Sequence, residues 1–263
     1  MDNTSRFDGR GKNYDKFRTE YPDELFQVIA EQTKLNSSSV TVDLGLGTGK
    51  SARWFVERGH TVIGIEPNGE MIRKAAEMQM SYPNLTLYQN SAEDTKLAAG
   101  VADLIISGQS IQYFDIAAAR VESRRILKKK GFICIFWYNE APESDFENEY
   151  YRIVNRYRIP SSPHHDFRQI RDQNALALIA PNHYEKHILR HHQLLNDQGL
   201  KGRLLSSSHI PQVGSAEYDQ MMRDLDQLID ELLPDLNIIQ LNYETHLYIA
   251  SIQCDQPGYF NAG

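Results

Sequence analysis

The stretch VTVDLGLGTG, from Val40 to Gly49, decides the fold of this 263-residue chain. Its first five residues are apolar or β-branched except for Asp43, as in a buried strand, and they run directly into three glycines spaced by two. Glycine permits positive φ and close approach of a ligand to the main chain, and the start of the helix expected from Lys50 offers unpaired N–H groups. The stretch therefore predicts a strand, a ligand-binding turn and a helix.

Short apolar runs alternate with helical stretches from this turn to Tyr138, a pattern typical of a parallel sheet with helices on both faces. The expected strands are 40–44, 61–66, 85–90, 102–107 and 132–138, and the expected helices are 50–58, 69–80 and 115–130. Two further strands, at 184–191 and 243–252, are expected to pair as an antiparallel edge. The sequence thus predicts an α/β fold: a Rossmann-like, doubly wound, seven-stranded sheet, mostly parallel with an antiparallel edge strand.

The length favours one domain over residues 1–263 rather than two large domains. Its core is expected to comprise 36–140 together with 184–192 and 243–253. A polar, aromatic stretch with several prolines follows the fifth strand and predicts an inserted helical cap. The segments expected to cover the substrate are 1–30, 141–183 and 195–234.

The second strand ends in Glu66, 21 residues after Gly45. In a doubly wound sheet the carboxyl ends of neighbouring strands flank one crevice, and a carboxylate there can accept hydrogen bonds from both hydroxyls of a ribose. The dinucleotide fingerprint GxGxxG would need a glycine at position 50, where this chain has Lys50. This departure argues against an NAD-dependent oxidoreductase.

The pattern DxGxGxG from Asp43, with Glu66 closing the second strand, resembles the class I S-adenosylmethionine-dependent methyltransferases. The resemblance continues through 90–94 after the third strand and 107–114 after the fourth. The N-terminal segment 7–22 is similar to the opening of small-molecule members, the methyltransferase type 11 group that includes trans-aconitate methyltransferases. Members of this group often carry a His-Trp pair where this chain has Gln112 and Tyr113.

The resemblance implies S-adenosylmethionine as cofactor, with S-adenosylhomocysteine as product and no metal. The glycines would surround the methionine part of the cofactor, Glu66 would hold the ribose and residues 91–93 would face the adenine. The implied cofactor-binding residues are Tyr14, Arg18, Asp43, Gly45, Gly47, Gly49, Glu66, Pro67, Ser91, Ala92, Glu93 and Gln109.

Candidates for the methyl-accepting pocket follow the fourth strand or end the fifth. The catalytic candidates are Gln112, Tyr113 and Tyr138, and the substrate-contacting candidates beside them are Trp137 and Asn139. Because the sulfonium of the cofactor already carries an activated methyl group, alignment of the acceptor is expected to dominate catalysis.

Residues 150–203 hold nine Lys or Arg against four Asp or Glu, a basic balance within an otherwise acidic chain. Arginine suits carboxylate or phosphate groups, so Arg152 and Arg158 are candidates for binding an anionic substrate; a solvated basic surface is the alternative. His165 is a candidate general base. The histidines at 183, 187 and 191 lie on an expected strand, too far apart for one metal ion.

The formal net charge of −7 argues against an extended basic face for nucleic acid. No apolar run is long enough to cross a membrane and the N-terminus is polar, so we expect a cytoplasmic protein, a monomer or homodimer with a small-molecule substrate. The resulting hypothesis is methyl transfer to an oxygen or nitrogen of a metabolite, with a carboxylate or other anionic substrate included. The alternatives are a cofactor-binding sensor or partner subunit without transfer activity and an RNA methyltransferase.

Overall fold

A computed structural model of the chain describes residues 17–159, 167–207, 210–232 and 238–253. The strands are β1 (Val40–Leu44), β2 (Thr61–Ile65), β3 (Leu85–Tyr88), β4 (Ala102–Gly108), β5 (Leu127–Glu140), β6 (Tyr184–Leu195) and β7 (Ile239–Gln253). The helices are α1 (Asp23–Thr33), α2 (Lys50–Glu57), α3 (Gly69–Ser81), α4 (Ile116–Ile126), α5 (Asp145–Arg156), α6 (Phe167–Ile179), α7 (Asp197–Leu205) and α8 (Ala216–Leu232), with a short 3₁₀ turn at Ile111–Tyr113.

The strands form one sheet in the order β3-β2-β1-β4-β5-β7-β6. Strands β1 to β5 pair in parallel, and the sheet is mostly parallel with one antiparallel edge. This arrangement confirms the predicted fold class. The strand order reverses between β1 and β4, and ligands of doubly wound sheets bind in the crevice at the carboxyl ends of the strands on either side of such a reversal.

Several boundaries differ from the prediction: β5, β6 and β7 are longer than expected, and β3 is shorter. The helix expected over 115–130 gives way to β5 at Leu127, which pairs with Ala102 of β4 across a shift in register. The Leu127 side chain fills the space above Gly131, where an added Cβ would come within 2.5 Å of it. The lysines at 128–130 therefore lie in the exposed start of a strand and not in the last turn of a helix.

The chain divides into two compact units. The sheet unit comprises Asp23–Trp137, Arg168–His187 and His246–Gly263, and the helical unit comprises Met1–Pro22, Tyr138–Phe167 and Ile188–Thr245.

The core of the sheet unit is built from the apolar faces of its strands and of the helices that cover them. Helix α6 belongs to this core, because Ala175, Leu178 and Ile179 are buried within it. The sequence assigned this helix to the cap segment 141–183, but its C-terminal apolar residues cover the sheet.

The helical unit has an apolar core of its own, formed by α5, α7, α8 and the adjoining ends of the strands. Helix α5 starts with a capping box, in which Ser144 and Glu147 satisfy each other's backbone N–H groups. The fully buried Glu147 carboxylate also accepts hydrogen bonds from the backbone and the side chain of Asn242. These bonds fix the start of α5 against β7.

The loop after β3 is anchored to α4 by Glu122. One oxygen of this carboxylate accepts hydrogen bonds from the backbone N–H and the hydroxyl of Thr95, and Arg125 donates to both oxygens. The hydrogen bonds from Arg125, followed by those from Thr95, hold the pKa of Glu122 at about 2, below its ordinary 4.5. These hydrogen bonds therefore hold the C-terminal end of the loop that follows β3 in place.

Replacing Glu122 by Gln should lower the free energy of unfolding at pH 7 by about 2 kcal/mol, because a buried charge-assisted network is broken. The folded-state pKa lies below the unfolded value, so this contribution should be present above about pH 4.5 and disappear as the pH falls towards 2. Urea unfolding of the wild type and E122Q at several pH values measures this difference in the free energy of unfolding. Asp94→Asn is the matched control, since the exposed Asp94 side chain pairs with Lys96, whereas the hydrogen bonds to Glu122 come from Thr95 and Arg125. A difference between wild type and E122Q that persists at pH 2 would contradict the assignment.

Candidate functional site

The turn after β1 holds three glycines in the left-handed region, with φ of +73° at Gly45, +60° at Gly47 and +99° at Gly49. A Cβ at Gly45 would come within 2.5 Å of Ser110, and one at Gly49 would overlap the side chain of Met78. A Cβ at Gly47 would meet no atom within 4 Å. A side chain at Gly45 or Gly49 would therefore clash with its neighbours, whereas Gly47 faces open space.

The Glu66 carboxylate lies against this turn and is only 8% exposed. Its Oε2 accepts a hydrogen bond from Gly47 N at 2.8 Å, and its Oε1 accepts one from Asn68 N at 2.8 Å. Burial raises the pKa of Glu66, and the two backbone hydrogen bonds partly offset this. Each oxygen retains further acceptor capacity, so the carboxylate can receive two more donors from a ligand.

Asp43 lies fully buried at the end of β1, directly before the turn. The hydroxyl of Ser51, in the first turn of α2, donates to Asp43 Oδ2. Asp43 Oδ1 is buried and has no hydrogen-bond partner in the part of the chain that the structure describes. Burial raises the pKa of Asp43 to about 7; the bond from Ser51 lowers it and repulsion from Glu66 adds to the increase. The group therefore changes charge near neutral pH.

The segment after β4 contributes a strained residue to the same edge of the sheet. Gln109 has a φ of +57°, which is unusual for a residue with a side chain. Its N–H donates to Phe136 O at 3.0 Å, and the neighbouring Ser110 hydroxyl donates to Leu44 O at 2.8 Å. These bonds hold the strained conformation in place, and such strain is typical of functional sites.

The residues after β3 form a compact loop. Ser91 pairs with Asp94 in an isolated bridge, Ala92 is buried, and Glu93 accepts a hydrogen bond from the backbone N–H of Asp115 at 2.9 Å. Pro67, after β2, is exposed. The structure thus brings together Asp43, the glycine turn and Glu66 through direct hydrogen bonds and packing, with the β3 and β4 loops at the same ends of the strands.

The predicted catalytic pair at 112 and 113 lies in the 3₁₀ turn. Both polar atoms of the Gln112 amide are engaged: Nε2 donates to Gln109 O at 2.7 Å, and Oε1 accepts from Arg171 Nε at 3.2 Å. Tyr113 is half-buried. Gln112 is therefore placed to support the strained Gln109, a role for which the sequence offered no signal.

The predicted substrate residues differ in burial and in the unit to which they belong. Trp137 is fully buried, where it stacks on Tyr248 and His246 in the core of the sheet unit, so it presents no surface to a ligand. Arg152 and Arg158 are both exposed, and Arg152 forms an ion pair with Glu149. Asn139 is half-buried near the end of β5. Tyr14 and His165 lie outside the described residues.

Arg18 and Tyr138 belong to the helical unit. Arg18 donates to Ser206 O at 3.3 Å, and Tyr138 packs edge-on against Tyr21 and Tyr243. The same unit holds Arg203, which is 6% exposed. Nothing in the sequence distinguishes Arg203 from the other arginines of the basic stretch, so it was not among the predicted site residues.

Within the described ranges no group of three His, Cys, Asp or Glu residues could hold a metal ion. No helix in the same part of the chain is long and apolar enough to span a membrane.

Residues 42–135, which contain the glycine turn and the ends of strands β1 to β4, match the family model of the methyltransferase domain. A Dictyostelium discoideum protein named as a methyltransferase is 27% identical over 169 residues, which are 61% of this chain and 62% of the relative. The match therefore spans less than two thirds of that relative's length.

Solved structures of methyltransferases share the fold. One from Anaeromyxobacter dehalogenans has a TM-score of 0.64 at 20% identity and covers 90% of this chain and 98% of its own. Phosphoethanolamine N-methyltransferase 2 of Haemonchus contortus, solved in complex with S-adenosyl-L-methionine, has a TM-score of 0.53 at 15% identity, with 95% of this chain and 58% of that chain covered.

Asp43→Asn tests the environment of the buried carboxyl. The folded-state pKa of about 7 lies above the ordinary 3.8, so the wild type should lose stability relative to D43N as the pH rises from about 4 to about 7, with no further change above that. Urea unfolding at pH 4, 5.5, 7 and 8 measures the difference. Ser51→Ala removes the bond that lowers the pKa and should extend the pH range of the loss upwards. A constant difference across this range would refute the assignment.

Proposed function

We propose that this protein is a class I methyltransferase that transfers a methyl group from S-adenosylmethionine to an oxygen or nitrogen atom of a small, anionic metabolite, because residues 42–135 match the family model of the methyltransferase domain. The single observation that carries the proposal is the open, left-handed Gly47 bonded to the buried carboxylate of Glu66.

This arrangement fits the cofactor at its ribose. The space beyond Gly47 admits a ligand close to the main chain, and Glu66 has acceptor capacity left on both oxygens. A ribose offers two adjacent hydroxyl donors, which one carboxylate can receive together. The backbone bonds from Gly47 and Asn68 fix the orientation of the carboxylate before the ligand arrives.

The carboxyl group of Asp43 fits the ammonium group in the methionine part of the cofactor. Among the described residues Asp43 Oδ1 is a buried acceptor without a partner, and an ammonium group is both a donor and a cation. Since the pKa of Asp43 is about 7, a bound cation would favour the ionised form and lower that pKa. The loop of Ser91, Ala92 and Glu93, held by Glu122, is the proposed contact for the adenine.

When bound, S-adenosylmethionine supplies a methyl group activated by its sulfonium. The chain's own contribution is to bind and orient, and alignment of two reactants can supply on the order of 7–11 kcal/mol in favourable cases. Gln109, held by Phe136 and Gln112, is rigid enough to position a neighbouring ligand. Gln112 acts through Gln109 and is a positioning residue in this proposal.

A small acceptor is favoured over a nucleic acid by the charge of the chain. The formal net charge is −7, and a nucleic-acid interface relies on neutralising many phosphates with Lys and Arg. Arg152 and Arg158 do not support the anionic acceptor, since both are exposed. The proposal of an anionic acceptor rests instead on the buried Arg203 of the helical unit.

The glycine at 47 can be tested against a matched glycine. Gly47 and Gly59 both have positive φ, and a Cβ at either position would meet no atom within 4 Å, but only Gly47 lies in the turn. Alanine at either position should cost about 1 kcal/mol of stability through backbone strain. Calorimetric titration should show that Gly47→Ala weakens S-adenosylmethionine binding about tenfold or more, whereas Gly59→Ala leaves it unchanged. Equal effects of the two variants would argue against the turn as the binding site.

The proposal as a whole is tested by titrating the purified protein with S-adenosylmethionine, S-adenosylhomocysteine and NAD. Binding of the first two without NAD is the expected result, followed by methyl transfer to small anionic acceptors detected by mass spectrometry. Binding of NAD alone, or of none of the three, would overturn the cofactor assignment.

A further inference from the structure

Arg203 is a buried cation of the helical unit that the cofactor assignment does not use. It lies on α7, and its side chain is almost inaccessible. Removing a guanidinium from water costs several kcal/mol unless a counter-charge and hydrogen bonds compensate. A protein that keeps such a group buried therefore has a structural or a binding use for its charge.

Four tyrosines of the same unit interact electrostatically with this arginine: Tyr138, Tyr150, Tyr151 and Tyr243. They pack together, with ring centroids 5.1 Å apart for Tyr150 and Tyr151 and 5.5 Å apart for Tyr138 and Tyr243. Burial raises the pKa of Tyr150, Tyr151 and Tyr243, so these phenols stay protonated at neutral pH. They supply hydrogen-bonding groups but no negative charge. We call these four tyrosines and Arg203 the tyrosine–arginine cluster.

Two donors of this cluster are left without an acceptor. Among the described residues, Arg203 Nε and the Tyr151 hydroxyl are buried and have no hydrogen-bond partner. The rest of the Arg203 side chain forms a hydrogen bond with Tyr243, whose hydroxyl donates to Gln193 Oε1 at 3.5 Å. An unsatisfied buried donor destabilises the protein, and more so when it is charged. The cluster therefore lacks a hydrogen-bond acceptor, and a negatively charged acceptor would suit these two donors best.

A second cation acts on the same tyrosines. Arg18 and Arg203 both lower the pKa of Tyr150 by electrostatic interaction, after the dominant effect of burial. The opposing carboxylate is Glu140, which raises the pKa of Tyr150, Tyr151 and Tyr243. The charged groups Arg18, Arg203 and Glu140 therefore all act on Tyr150.

Neighbouring chain segments hold Arg203 and Arg18 in place. A Cβ at Gly202 would overlap the ring of Phe17, so α7 packs closely on the segment that carries Arg18. The carbonyl of Phe17 accepts a hydrogen bond from Gln193 at 3.0 Å, and Arg18 donates to Ser206 O, three residues beyond Arg203. The guanidinium of Arg18 is therefore fixed to the end of α7, the helix that carries Arg203.

We propose that Arg203 and the Tyr151 hydroxyl bind an oxyanion, the carboxylate or phosphate group of the methyl acceptor. The guanidinium fork matches either group, and the phenol adds one directed hydrogen bond. The inference rests on the proposed function for the identity of the ligand as the acceptor, but binding of the anion itself is independent of the cofactor.

Tyr151→Phe is the decisive variant. Its hydroxyl has no partner in the free protein, so removing it should leave the urea midpoint unchanged or slightly raised, while it removes one donor to the anion. Tyr157→Phe is the matched control, because the Tyr157 hydroxyl donates to Asp224 Oδ2 at 2.8 Å outside the cluster. That variant should lose stability and bind the anion like the wild type.

The probes are inorganic phosphate and succinate, titrated calorimetrically into the wild type, Y151F, Y157F and Arg203→Lys. One or both anions should bind the wild type, and Y151F and R203K should each weaken that binding about tenfold or more. Preference for phosphate or succinate identifies the oxyanion. Failure of both anions to bind the wild type, or wild-type affinity in Y151F, would overturn the proposal, and R203K is interpreted only if its unfolding remains cooperative.

S-adenosylmethionine titrations of the same four proteins separate this proposal from the one on which it rests. Y151F should bind the cofactor like the wild type. If the wild type fails to bind the cofactor but loses anion binding on Tyr151→Phe, the function as a methyltransferase is wrong and the oxyanion site stands. If the cofactor binds and neither anion does, the oxyanion site is wrong and the cofactor assignment stands.

Discussion

The hydrogen bond from Gly47 N to Glu66 joins the ends of the neighbouring parallel strands β1 and β2, and the candidate site depends on it. Only a residue that tolerates a φ of +60° can present its N–H in this way. The other oxygen of Glu66 accepts from Asn68 N, and the Asn68 side chain accepts from the first N–H groups of α3. One carboxylate therefore sets the turn after β1 and the start of the next helix together.

The sheet and this turn could be predicted from the sequence because both are encoded locally. Alternating apolar runs specify the strands, and glycines at 45, 47 and 49 specify a backbone that few other residues adopt. The point where α4 ends could not be predicted in this way. It depends on the pairing of Leu127 with Ala102 and on the space above Gly131, which are contacts between distant segments.

The tyrosine–arginine cluster lay beyond sequence reasoning for a related reason. Its members come from β5, α5, α7 and β7, and no spacing along the chain links Tyr138 or Tyr151 to Arg203. The basic stretch at 150–203 did indicate an anionic ligand, but composition cannot distinguish an exposed arginine such as Arg152 from a buried one. A charged side chain needs a partner when it is removed from water, and its burial depends on how distant segments of the chain pack together.

The glycine turn and the exposed lysines of β5 lie at opposite ends of the parallel strands of the sheet unit. Gly45, Gly47 and Gly49 follow the carboxyl end of β1 and Gln109 follows that of β4, whereas the exposed lysines at 129 and 130 lie at the amino end of β5. Parallel strands keep these two ends a full strand length apart. Attachment of the protein to a sensor chip or a fluorophore through Lys129 or Lys130 would therefore hold the sheet unit by the strand ends opposite the glycine turn.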